Sequence, residues 1–219
     1  PETRALLEWF LDRNFTLLGH LRWSPGESDR DCLGIARRPI HGQLLAETSR
    51  QRALAAFEEG QSLLLLKSNA LSTVHRRAPL DLVVLPIREG GKVVGLSIHA
   101  GLWTSAALHA APAEVPVLRR NLAALQAQFG FDPAGHAGKS LAHALTALPH
   151  DLTAAFPPEA LETLALTAMS IADRPRSRVV LIRSPLGRHL FAFVWLQRDD
   201  LSTGRRTAIG DMLCEAAHA

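Results

Sequence analysis

Residues 80–88 and 92–103 are two nearly continuous apolar runs separated only by Glu89-Gly90-Gly91. Glycine adopts positive φ without steric cost, so this spacing predicts two antiparallel strands joined by a tight turn. A lone hairpin is marginal in water, so further strands are required. Residues 15–23, 32–38 and 62–67 supply them, each rich in apolar and β-prone side chains and bounded by turn residues such as Ser24-Pro25-Gly26. Helical spacing recurs at 2–13, with Thr3 as N-cap, and at 44–57. The order strand, strand, helix, then three strands predicts an α+β fold: one antiparallel five-stranded sheet with helices packed on it.

Beyond the sheet the pattern becomes helical. Residues 117–129 form one predicted helix, with Pro116 suited to its first turn, and residues 139–148 form a second, stopped by Pro149. Residues 130–138 break between them. The last part reads as a short strand at 152–156, a helix at 157–172, strands at 176–183 and 189–197, and a helix capped by Ser202. That helix places Ile209, Met212, Leu213 and Ala216 on one face. The sequence β-α-β-β-α is a split βαβ unit lacking its last strand. Both ends read as cut edges, so a segment of a longer chain is expected.

The chemistry-bearing motifs are few. Gly138-Lys139-Ser140 lacks the earlier glycine and the preceding strand of a phosphate-binding loop. Gly95-Leu96-Ser97-Ile98-His99 fails the nucleophile-elbow spacing and lies within a strand. An independent hydrolase or transferase using His99 or His75 is the enzyme alternative, with no spacing that supports it. Gly90, Gly91 and Gly95 lie in a hairpin rather than between a strand and a helix, so no dinucleotide fingerprint is present. None of the ten histidines stands at metal-ligand spacing along the chain. Net charge is only +3, without a charged tail, and tyrosine is absent. A nucleic-acid surface is therefore not expected. The two cysteines, Cys32 and Cys214, do not make a disulfide framework. No apolar run is long enough for a membrane span. The polar stretch at 67–77 is the one candidate site: Lys67, Asn69, Ser72, Thr73, His75 and Arg76 offer charge and hydroxyls for an anionic ligand or an interdomain contact. The alternative is an irregular connection whose side chains satisfy its own backbone.

Seven phrases in order carry a family resemblance: LEWFLDRNFTLLGH at 7–20, LLKSNALSTVHRR at 65–77, GKVVGLSIHAGLWTS at 91–105, VPVLRR at 115–120, HAGK at 136–139, LPHDL at 148–152 and the stretch 174–203. Together they resemble the N-terminal regulatory region of the large bacterial NAD-dependent glutamate dehydrogenases. The resemblance implies a PAS-like module at 1–110, a helical connector at 111–149 and a truncated ACT-like (ferredoxin-like) module at 150–219. It also implies a regulatory or architectural role in a cytoplasmic homo-oligomer. The partners implied are the rest of the chain, including a downstream catalytic domain that uses NAD. No catalytic, cofactor or metal residue is expected in this segment. A small-molecule sensor of amino or organic acids is the alternative reading. The chain departs from the family at Pro149-His150-Asp151, where Pro-Arg-Asp is common, at Arg183-Ser184-Pro185, where a charged Arg-Asp pair is, and at Trp195, where Tyr is.

Overall fold

A computed structural model describes residues 2–37, 44–174 and 176–217. Five strands form one antiparallel sheet: β1 (Phe15–Trp23), β2 (Arg30–Gly34), β3 (Leu64–Leu71), β4 (Pro79–Glu89) and β5 (Lys92–Trp103), in the order β2-β1-β5-β4-β3. The β4–β5 turn has Gly90 and Gly91 at φ +55° and +84°, as the glycine pair predicts.

Both faces of the sheet are covered over much of their area. Helix α2 (Glu47–Glu58) lays Ala53, Leu54 and Phe57 on Leu21, Trp23, Leu82, Val84, Leu96 and Ile98. Arg50 of α2 is buried beside Trp23 and grips Asp29 through both carboxylate oxygens, at 2.5 and 3.1 Å. Helix α1 (Glu2–Trp9) covers part of the other face. After it the chain turns sharply through Arg13 at φ +61°, and Trp9, Phe10, Phe15 and Trp103 form an aromatic cluster. Phe10 meets Trp103 edge-on at 5.1 Å between centroids.

The helical part contains α3 (Ser105–His109), α4 (Leu118–Phe129), α5 (His136–Thr146), α6 (His150–Thr153) and α7 (Pro158–Asp173). Leu122, Leu125, Leu141, Leu145, Leu161 and Leu164 make its core, closed by the inner face of a hairpin, β6 (Arg178–Arg183) and β7 (Leu190–Trp195). Phe191, Phe193 and Trp195 point into that core. Gly138 of α5 packs where a Cβ would stand 2.1 Å from the Asp132 carbonyl, which gives this glycine a packing reason. Helix α8 (Thr203–Ala217) is capped by the Ser202 hydroxyl, which accepts from the Arg205 N–H at 3.1 Å, and it buries no side chain.

Several expected boundaries are corrected. The second strand ends at Gly34, at φ +56°, rather than running through the thirties; Arg38 lies outside the described residues. Strand β3 continues past Lys67 to Leu71 because Ser68 and Ala70 keep the inward alternation of Leu64 and Leu66. The Ser68 hydroxyl donates to the Leu44 carbonyl at 2.7 Å, so its burial is satisfied. Thr3 lies inside α1 with its hydroxyl 2.9 Å from that of Ser62, and it is not a cap. Helix α4 starts after Val117, at φ +74°, so Pro116 lies outside it. The Val117 N–H donates to Glu2 at 2.9 Å, and Arg119 grips the same carboxylate. The strand expected at 152–156 is absent. The segment is α6 and the turn after it, and Ala154 and Phe156 enter two different cores. Their apolar alternation serves a joint between cores rather than a sheet face.

Candidate functional site

The register of the sheet places Lys67 opposite Asp81, on the face covered by the helical part. Helix α6 brings Asp151 to the same point. The Lys67 ammonium donates to Asp81 Oδ1 at 2.5 Å and also to Asp151 Oδ2. Asp81 Oδ2 accepts the Trp103 N–H at 3.2 Å. One cation thus serves two shielded carboxylates from separate units. Burial pushes the Asp81 carboxyl up to about 6, against the attraction of Lys67 and with the Asp151 charge adding to the rise. Burial works against the Lys67 ammonium, but the two carboxylates outweigh it and hold its pKa above the ordinary lysine value.

Beside this triad lies a second set of contacts. His150 is fully buried, with Nδ1 3.3 Å from the Ala107 carbonyl and Nε2 unpartnered among the described residues. Burial lowers its pKa, which favours the neutral ring with Nδ1–H as the donor. The hairpin docks on the sheet through His189, whose Nε2 lies 2.8 Å from Asn69 Oδ1, and through Arg52 of α2, which donates to the Leu186 carbonyl at 3.0 Å. A cleft of about 630 Å³ opens where the three parts meet. Asn69, Arg76, Asp151 and His189 supply its polar wall, and Leu108, Leu152 and Phe191 its apolar wall.

The predicted site residues meet at two adjoining pockets that share Asn69 and Arg76. Lys67 belongs to the triad, Asn69 to the hairpin contact, and Arg76 donates to the Trp103 carbonyl at 3.2 Å while lining the cleft. Ser72, Thr73 and His75 line an adjoining pocket of about 500 Å³ that Asn69 and Arg76 also line, and there the Ser72 hydroxyl donates to the Val74 carbonyl at 2.7 Å and so folds the loop on itself. Sequence reasoning missed Asp81, Asp151 and His189. A usable signal existed for the first: a single lysine and a single aspartate, each inside an apolar strand.

A third cluster lies elsewhere on the sheet. His20 and His99 are cross-strand partners, and each Nε2 stands 3.0 Å from the Ser97 hydroxyl. Ser97 and His99 thus meet the hydrogen-bond distance that a nucleophile and base require. Neither imidazole has a carboxylate hydrogen-bond partner among the described residues to orient it, however, and the serine is shared between two rings.

Comparison with known proteins adds the context of the whole chain. It is 31% identical to an NAD-specific glutamate dehydrogenase of Pseudomonas aeruginosa and 28% identical to one of Halomonas elongata, in both cases over 100% of its length. This chain matches the N-terminal part of large NAD-specific glutamate dehydrogenases. It spans 14% of the length of each of these two glutamate dehydrogenases. The family described as "Glutamate dehydrogenase, helical motif 1" matches residues 115–174, which contain α4 through α7. Asp151 of the triad lies inside this glutamate dehydrogenase helical motif, and its two partners lie outside it.

Proposed function

We propose that the chain is a non-catalytic, architectural and regulatory segment of an NAD-dependent glutamate dehydrogenase. The parent reaction takes L-glutamate, NAD and water to 2-oxoglutarate, ammonia and NADH. The full-length match to the N-terminal part of two such enzymes carries this reading. In it, NAD is the cofactor of the parent, and the segment's partners are the rest of its own chain and other subunits of a cytoplasmic homo-oligomer. Among the described residues no helix is long and apolar enough to cross a membrane. The five-stranded antiparallel sheet, with α2 between its second and third strands, supports a PAS-like module at 1–110. The β6–β7 hairpin with α7 and α8 supports part of an ACT-like module at 150–219, and 111–149 connects the two. The purified chain is expected neither to reduce NAD with glutamate nor to bind NAD in calorimetry. Turnover by this chain alone overturns the proposal.

The junction cleft favours a second reading, a sensor for a small amino or organic acid. Arg76 and Asn69 suit a carboxylate, and Asp151 suits an ammonium group. Ligand binding at a three-way joint would shift its population of states. A thermal-shift and calorimetric panel of amino and organic acids is expected to give a hit that Arg76→Ala abolishes. A flat result from folded protein leaves the architectural reading alone.

A further inference from the structure

The His20–Ser97–His99 cluster is used by neither reading above. Its two imidazoles sit on neighbouring strands in direct register, so the backbone fixes their spacing. Their ring centroids are 4.6 Å apart with planes tilted by 40°, and both Nε2 atoms aim at one point, now occupied by the Ser97 hydroxyl. A divalent ion bound by imidazole sits about 2.0–2.1 Å from each nitrogen, so its two ligands lie at most about 4.2 Å apart. Rings at this separation reach that distance by small side-chain rotations. The cluster is half-buried and reachable from solvent. Burial and the neighbouring His20 lower the pKa of His99, which keeps the ring in the neutral, ligand-competent form. Arg22 stands opposite Ser97 in register and pairs with Asp31 at 3.5 Å.

We propose that His20 and His99 form a two-imidazole site for a nitrogen-preferring divalent transition-metal ion, with water completing its shell. Imidazole ligands suit zinc, nickel and copper, whereas magnesium and calcium are held chiefly by carboxylate and carbonyl oxygens, and the fork's two rings supply nitrogen. The Ser97 hydroxyl spaces the fork when no metal is bound.

The test is calorimetric titration of the 219-residue chain with Ni²⁺ and Zn²⁺, with Mg²⁺ as control. One Ni²⁺ per chain is expected at pH 7.5, with binding lost by pH 5.5 as protons compete for the imidazoles. Paramagnetic Ni²⁺ should broaden the ring resonances of His20 and His99 before those of the other histidines. His20→Gln and His99→Gln should each weaken binding by about tenfold or more. Ser97→Ala keeps both rings and should retain the site, so the proposal stays testable should a histidine variant unfold. Undetectable binding to the wild-type chain, equal binding in the folded histidine variants, or loss of binding in folded Ser97→Ala overturns it.

Discussion

The five-stranded sheet and the β6–β7 hairpin are built from similar material and end in different states. Strand β4 is apolar on both faces and both find cover, Leu80, Leu82 and Val84 in the core under α2 and Val83 in the core on the opposite face. Strands β6 and β7 are apolar on both faces too, yet only one is covered. Val180, Ile182, Phe191 and Phe193 face the helical core, whereas Val179, Leu181 and Leu190 remain 52%, 50% and 51% exposed. Apolar content on both faces is the pattern of a strand destined for two covering layers. The difference teaches that strand composition states a capacity for burial, while the elements around it decide how much is realised.

The comparison can be broken or sharpened by substitution. Phe57→Ala removes a fully buried ring from the α2 core and should cost about 3–5 kcal/mol in urea denaturation. A cost under about 1 kcal/mol, far below the usual range for such a truncation, would show that the sheet core is not packed as described. Lys67→Met leaves the Asp81 and Asp151 carboxylates shielded and unpaired, and breaking such a cluster should cost about 3–5 kcal/mol. Hydrogen exchange should then rise at α6 before it rises in β4 and β5; uniform exchange would sink the idea of a joint.

The same triad predicts a pH dependence. The Asp81 pKa is raised from 3.8 in the unfolded reference to about 6 in the folded chain. Its contribution is therefore fully present below about pH 4 and lost as pH rises through 6, a change on the order of 3 kcal/mol. The difference in stability between wild type and Asp81→Asn, measured from pH 4 to 7.5, should follow that window. A flat difference would place Asp81 in a wetter setting. The smallest expected effect is that of Leu181→Ala on the uncovered hairpin face, within about 0.5 kcal/mol. A cost above about 2 kcal/mol, the scale of a buried leucine, would show that face to be covered in solution and erase the contrast between the two regions.

Much of this fold was legible in the sequence, and the exceptions have physical causes. The β4–β5 hairpin followed from two apolar runs around Gly90-Gly91, because local turn chemistry and long strand patterns agree there. Residues 152–156 misled because their alternating apolar side chains reach two cores across a turn, which mimics the period of a strand. Lys67 was found, but as part of a polar loop. Its role depends on Asp81 and Asp151, and no linear spacing relates the three. The His20–Ser97–His99 cluster shows the same limit: a histidine pair across two strands leaves no repeat along the chain, and only the register of β1 on β5 brings it together.

The placement of the tryptophans has an optical consequence. Trp23 lies in the core under α2, Trp9 and Trp103 in the aromatic cluster on the opposite sheet face, and Trp195 in the core between hairpin and helices. Each core thus carries its own chromophore. Trp9 and Trp103, with ring centroids 5.4 Å apart, are close enough for their transitions to couple, so near-ultraviolet circular dichroism reads the attachment of α1 to the sheet. Trp195 emission reads the hairpin separately. With Trp23 as the third reporter, single Trp→Phe variants turn one denaturation experiment into three local ones.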